Sequence, residues 1–598
     1  PTEYTTWRNY FENVAIKKPK QDWKFSQEDV LVSLVWGSQV MQRIAQQVRV
    51  SENKIIMAEK IAAINKIYHS DAWPQVGFDE AWRTLMLAQH HDCWIVPYNG
   101  RNGNTWADKV VKWTGTTNRV ADSVIYAAPA NEAKYVRVYN TAGASRTEWV
   151  NLDVPAAWKG KNVWVYNMYN KAVPSQIVKD TAGNKLMFKA TVPSVGYTTY
   201  KLIQDDDHGA KYIDVKKQPN GTYKIESTLY SIIVNPAKGG IIESLIAKTL
   251  DDKEFVDKAN ERGFNELRGN FSKEGGFLSS KDKPAEVTVL SAGPELVKLQ
   301  IKGTIGAHRF TQVLSVAHGQ KRIDLQVTIN YNGNPEIGEP TAPGTYRAND
   351  NHKGFYNDRD KLMALFPLNL KGQKVYKNAP YDVTESRLDN TFFTDWDKIK
   401  NNVLLNWVDV TDKSNKYGMA LFTDHTTNYA HGEDFPLGLT LQYSGVGLWG
   451  RNYIIDAPTM INYSLVPHSG KWDAAGLWTE STKWNEPLVA TVLNTVPDEK
   501  DATKSLINVQ GTGYEVSSVT FEGNDLYVRL FNAEADATTE RKIAFNFKAS
   551  KAELVELNGN KRENLKITNN AKNEPSVILR TPRFALRTIK FTNAAKTN

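Results

Sequence analysis

The sequence predicts an α+β multidomain chain: a helical bundle, then a small antiparallel β domain, a large β-sandwich and a last β domain. Three observations lead there. The 598 residues correspond to roughly four domains. Apolar residues recur with a helical period up to about residue 128 and with a period of two beyond it. Gly, Pro and Asn divide the later alternating runs into strand-length pieces. A composition of 41% hydrophobic and 23% charged residues excludes a disordered chain.

Residues 1–25 form a lead-in segment containing the helical-looking "TTWRNYFENVAIKK". The bundle spans 26–128. Its first helix, "SQEDVLVSLVWGSQVMQRIAQQ", opens with Ser26 as N-cap and Asp29 three positions on, close to a capping box. A second, "SENKIIMAEKIAAINKI", starts at Ser51, with Ile56, Ala63, Ile64 and Ile67 at helical spacing. Pro74 marks the break before a third, "FDEAWRTLMLAQHHD", and "NTWADKVVKWTGTTNRVADSVI" completes the bundle. The small β domain, 129–205, holds "KYVRVYN", "NVWVYNM", "KLMFKATV" and "YTTYKLI", and the polar "DDDHG" closes it. Residues 206–485 carry runs such as "EVTVLSA", "LVKLQIKGTI", "RIDLQVTINYN", "GMALFTD" and "LGLTLQYS", which together predict a large sandwich. Residues 486–598, with "YVRLFN", "KIAFNF" and "FALRTIKF", make the last β domain.

Several function classes are excluded on composition. The single cysteine, Cys93, allows no intrachain disulfide. The net charge is +8, but Lys and Arg are scattered among Asp and Glu with no basic run interleaved with aromatics, so no nucleic-acid partner is expected. No apolar run reaches membrane-spanning length, so no membrane insertion is expected. The N-terminus has no signal-peptide pattern and begins in a helical region, as a processing boundary would. The 17 Trp, 26 Tyr and 21 Phe suit β cores, and also sugar binding by stacking on a pyranose.

The stretch "LMLAQHHDCW" raises the sharpest chemical question. Among the ten histidines none forms HxxxH, HExxH or HxH, so no metal site closes locally. In a continuous helix His90 and His91 project about 100° apart and cannot hold one ion together. On that helix His91 shares a side with Leu87, Ala88 and Ile95, and His90 with Met86 and Trp94. Both rings would then be buried and would need a partner, whether a carbonyl, a carboxylate or a metal. Asp92 would sit at the end of the helix where the dipole disfavours a negative charge. A second cluster in "FTDHTTNYAHGEDF" holds Asp424, His425, His431, Glu433 and Asp434 and reads as a solvated loop between strands. A third, "NDNHKGFYNDRDK", holds His352, Tyr356, Asp358 and Arg359 as a weaker binding-loop candidate. There is no phosphate loop or GxSxG elbow, and no spacing singles out a catalytic carboxylate pair.

"DEAWRTLMLAQHHD" closely resembles the helix of family 38 glycoside hydrolases, the retaining α-mannosidases, which ends in Gln-x-His-Asp. Further segments resemble that family in order. They are "IAQQVRVSENKIIMAEKIAAI", "YVRVYNTAGASRTEWVNLDVP", "FKATVPSVGYTTYKL" with its Val-Pro-x-x-Gly-Tyr turn, "LYSIIVNPAKGGIIESLIAKTLDDKEFVD", "FNELRGNF", "LNWVDVTDKSNKYGMALFTD" and "FALRTIKF". The resemblance implies a galactose-mutarotase-like β-super-sandwich for the large domain. It also implies one Zn²⁺ bound by two Asp and two His, with His91 as one metal ligand, Asp92 as the substrate-binding residue on the sugar hydroxyls, and Cys93 as packing.

The family's N-terminal barrel, with the nucleophilic Asp, the acid and three zinc ligands, has no counterpart in residues 1–598. The chain is therefore expected to be a C-terminal portion whose barrel was cleaved, left off or supplied separately. Its catalytic residues are unknown from this sequence, and by itself it is expected to be inactive. The implied activity is zinc-dependent, retaining exo-α-mannosidase hydrolysis of terminal α-linked mannose, with α-mannoside glycans and the barrel as partners. A bacterial periplasm or cell envelope is the expected location. Two alternatives stay open: a non-catalytic carbohydrate-binding or assembly module, and a β-sandwich hydrolase or lyase acting on another polysaccharide.

Overall fold

The structure, a computed structural model, describes residues 4–18, 42–126, 133–180, 183–204, 213–338, 360–386, 399–432, 435–446, 452–455, 457–493, 496–535, 540–571 and 573–597. The Ser26 cap and the His352, Tyr356, Asp358 and Arg359 cluster lie outside the described residues, as do Glu433 and Asp434.

Helix α1 (Trp7–Asn13) is short and buries no residue. Helix α2 (Gln42–His69) contains neither Gly nor Pro and runs unbroken through Ser51. The expected helix start at Ser51 is therefore corrected. Its hydroxyl donates to the Gln47 carbonyl (2.9 Å), which lets a cap-forming residue sit inside a helix without ending it. The chain leaves α2 through Ser70 in the left-handed region (φ 63°). Helix α3 (Gln75–Ala88) buries Phe78, Ala81, Thr84, Leu85 and Ala88. Helix α4 (His91–Ile95) is a single turn. Helix α5 (Trp106–Ile125) opens with a capping box between Thr105 and Asp108. Small residues let α3 and α5 approach closely: Thr84 and Thr117 hydroxyls are 3.0 Å apart, and Thr117 donates to the Ala81 carbonyl at 2.9 Å.

The β region is antiparallel throughout its named pairings. The small domain pairs Tyr135–Asn140 with Gly196–Gln204 and packs this sheet on a three-stranded one built from Arg146–Asp153, Gly183–Val192 and Ser175–Asp180. Two later segments, Val489–Leu493 and Thr503–Ser505, return to it and pair with Tyr135–Asn140 and Gly196–Gln204. The large domain is a sandwich of five-, six- and nine-stranded sheets around one core that includes Leu299, Phe310, Leu325, Phe366, Leu421 and Tyr463. The α+β class and the order of bundle, small β domain, large sandwich and final β domain are those the sequence predicts.

The last β domain shares its core with the bundle: Ile55, Ile61 and Ile64 of α2 belong to one cluster with Val516, Val528 and Phe591. Each fully buried side chain of this size is worth about 1.5–3 kcal/mol. Two further helices, α6 (Trp472–Ala475) and α7 (Leu477–Asn485), lead out of the sandwich, and Glu486 follows at once. There the Lys60 ammonium of α2, fully buried, meets the Glu486 carboxylate at 2.7 Å, and Thr141 of the small domain donates to the same oxygen at 2.8 Å. Three domains are thus tied at one buried charge pair. Among the described residues no helix is long and apolar enough to cross a membrane.

Candidate metal and sugar site at the end of helix α3

The local structure of "QHHD" differs from a continued helix. Helix α3 stops at Gln89, whose amide hydrogen is shared among the Leu85, Met86 and Leu87 carbonyls. Gln89 also donates through its side chain to Glu52 of α2 (3.0 Å). His90 takes extended backbone angles (φ −64°, ψ 135°) and caps the next turn, its Nδ1 accepting from the Asp92 amide at 3.2 Å.

This break corrects three expectations. The two imidazoles are not buried among Leu87, Ala88, Met86 and Trp94: the side chains of His90, His91 and Asp92 are 45, 71 and 38% exposed. They are not splayed either, since one ligand atom from each of the three lies within 4.8 Å of the others. Finally, Asp92 stands in the first turn of α4 rather than at the end of α3, so the local dipole favours its charge.

The three groups are not equivalent. A ring nitrogen that accepts the Asp92 N–H leaves the other nitrogen of a neutral imidazole protonated, so His90 offers no lone pair outward in this conformation. Its ring also packs on His91 (centroids 4.4 Å) and on Trp106 (5.6 Å, near parallel), which itself carries Lys109 over its face at 4.2 Å. His90 is therefore a bracket. His91 makes no such backbone contact; its Nε2 is 3.4 Å from Asp92 Oδ1. An exposed imidazole beside an exposed carboxylate is a donor set suited to Zn²⁺, and as a share of a four-ligand site rather than a closed one. Cys93 points the other way, into the core, with burial first and Asp92 second pushing its thiol up to about 11. That is a packing residue, not a thiolate ligand.

The second histidine cluster is not a solvated loop. Thr427–Gly432 is a strand buried at every position. His425 is buried and donates through Nδ1 to Asp424 Oδ1 at 2.6 Å, and the other Asp424 oxygen accepts from both the amide and the side chain of Asn462. Burial pushes the Asp424 carboxyl up, but His425 and Asn462 outweigh it and hold the group below the usual range. His431 bonds Gln373 at 2.8 Å, and burial lowers its pKa to about 4, so it is a neutral core residue. "TNYAHG" carries no polar–apolar alternation to mark it as a strand, because both of its faces are covered and its polar residues sit inside.

Residues 268–444 match the Glycosyl hydrolases family 38 C-terminal domain. That span covers most of the six-stranded sheet and much of the nine-stranded one. Among solved structures, an alpha-mannosidase from Enterococcus faecalis V583 aligns with a TM-score of 0.71 at 16% identity, covering 98% of this chain and 72% of that one. A protein of Glycosyl Hydrolase Family 38 from Enterococcus faecalis aligns with a TM-score of 0.70 at 16% identity, covering 98% and 74%. No curated protein sequence matches at a significant level. Residues 268–444 are thus similar to that domain, and the chain shares, over nearly its whole length, the fold of those two proteins.

Proposed function

We propose that this chain is the C-terminal part of a zinc-dependent, retaining exo-α-mannosidase that removes terminal α-linked mannose from glycans. The observation that carries the reading is the helix break that presents His91 and Asp92 together to solvent, in a chain whose residues 268–444 are similar to the family 38 C-terminal domain. On this reading His91 is one metal ligand, and Asp92 receives the sugar's hydroxyls. His90, fixed by its cap hydrogen bond and by Trp106, holds both in place. The remaining ligands, the nucleophile and the acid belong to an N-terminal barrel. Bound Zn²⁺ supplies Lewis-acid orientation of sugar hydroxyls.

The exposure of the cluster supports this reading. Most of the His91 ring is left open, where a ligand can reach it. The test is hydrolysis of p-nitrophenyl α-mannoside by the chain joined to its barrel, with and without a chelator, beside His91→Ala. Zinc content is measured directly in each preparation. Loss of both zinc and activity in His91→Ala is expected. Full activity and zinc content in that variant would refute the assignment of His91.

A further inference from the structure

The outer face of the nine-stranded sheet is not wholly covered by protein. Along Ile323–Asn330, Ile323, Leu325, Val327 and Ile329 point into the core, which leaves Asp324 and Gln326 on the other face. Strand register places Asp324 beside Ser315, and Gln326 beside Asn462. Asn53 of α2 and Trp484 at the end of α7 stand over this patch, enclosing a cleft of about 430 Å³. Small-ligand sites typically span roughly 300–1,000 Å³.

The lining has a definite chemistry. Trp484 packs against Phe422 (centroids 6.3 Å) and also lines the cleft, so an indole supported from one direction is available from another. Around it stand planar amides and carboxylates: Asn53, Gln326, Asn462 and Asp324. Gln326 and Asn462 are held to each other at 2.8 Å, which fixes their orientation. The Asp324 side chain is 37% exposed; its Oδ2 accepts from Gln320 at 2.9 Å, while its Oδ1 is buried 3.9 Å from Arg322 Nε. Among the described residues Lys298 is the single basic side chain in the lining, so nothing there is built to hold a phosphate or an acidic sugar.

We propose that this cleft is a second carbohydrate subsite that holds a neutral hexopyranose unit of a glycan. Trp484 covers the apolar C–H face of the sugar, and Asp324, Gln326 and Asn53 bond its hydroxyls. The proposal rests on the reading of the protein as glycan-active, but the site is separate from the His91 cluster, none of whose residues lines the cleft. Helix α2 connects the two: Glu52 holds Gln89 beside the histidines, and Asn53 lines the cleft.

The test is calorimetric titration of the whole chain with α-linked mannobiose, galactobiose, cellobiose and glucuronic acid, in chelator so that no metal contributes. Saturable binding of at least one neutral disaccharide is expected. It should survive His91→Ala, weaken roughly tenfold or more in Trp484→Ala and in Gln326→Ala, and largely return in Trp484→Phe. Circular dichroism identifies any variant that fails to fold. Absence of binding to every neutral probe, binding only to the acid, or binding unchanged in folded Trp484→Ala and Gln326→Ala overturns the proposal. Hydrolysis of the aryl mannoside by the barrel-joined enzyme separates the two readings. Hydrolysis with no disaccharide binding overturns the cleft alone, while Trp484-dependent binding without hydrolysis supports the cleft and overturns the mannosidase reading.

Discussion

Replacing Lys60 with Met tests how the domains are held together. The Lys60 side chain is 0% exposed and that of Glu486 7%, with 2.7 Å between their charged atoms. Met matches the length of the Lys stem and removes only the charge. Glu486 would be left buried with Thr141 as its remaining side-chain donor. Glu515 lies in the same region: burial first, and then the Glu486 charge, push its carboxyl up, while Lys60 opposes them. The substitution thus leaves the Glu486 carboxylate beside a second acid, with the charge of the buried Arg146 nearby as partial compensation. Breaking a buried pair from one side costs about 3–5 kcal/mol, whereas replacing both partners with apolar groups is often close to neutral. Urea denaturation followed by tryptophan fluorescence measures this, read on the first transition because a chain of several domains need not unfold in one step. Lys60→Met should lose about 3–5 kcal/mol, and Lys60→Met with Glu486→Leu should recover most of it. Because Glu486 directly follows Trp484 and Asn485 in the cleft, the single variant should also weaken sugar binding. A Lys60→Met midpoint equal to that of the parent, or a double variant no better than the single, would refute the reasoning.

Two further outcomes follow from the same packing. Burial raises the Glu59 carboxyl to about 7 despite the hydrogen bond from Trp82 and the charge of Lys60. The folded protein therefore binds the proton more tightly than the unfolded chain. This stabilisation is present below pH 4.5 and is lost as pH rises towards 7, by about 1.4 kcal/mol for each pH unit crossed. His69 and His431, both lowered to about 4, act in the opposite direction, so the difference between Glu59→Gln and the parent isolates the effect. The variant's stability should fall less between pH 4.5 and 7, and identical slopes would exclude this account. Gly196 lies where a Cβ would meet the Lys504 carbonyl oxygen at 2.0 Å. Gly196→Ala should therefore cost at least about 2 kcal/mol by forcing Thr503–Ser505 off the small sheet, measured as an early loss in the urea transition. A cost below half of that would show that the strand can shift freely.

Much of the fold was legible in local pattern. The 3.6-residue period of "KIIMAEKIAAINKI" and the two-residue period of "RIDLQVTIN" are consequences of which side chains must leave water, and each marked its element. The helical pattern of "NTWADKVVKWTGTTNRVADSVI" marked α5, and the structure adds the Thr105–Asp108 box that starts it. The His91–Asp92 pair was visible as residues, and the resemblance to family 38 supplied their roles as an expectation. Their geometry was not visible. The structure ends α3 at Gln89, which bonds Glu52 of another helix, and the two rings that a continued helix would bury stand exposed.

Ser51 shows the opposite case, a start signal overridden because α2 buries apolar residues on both sides of it against the rest of the bundle and the last β domain. The pairing of Val489–Leu493 with Tyr135–Asn140, and of Lys60 with Glu486, joins residues more than three hundred positions apart. The sequence by itself determined the periods and the chemical inventory, since these depend on neighbours along the chain. Only the tertiary structure decided which polar groups are buried, which are open, and which stand together over the cleft, since burial and charge compensation are set by whatever distant surface packs against each element.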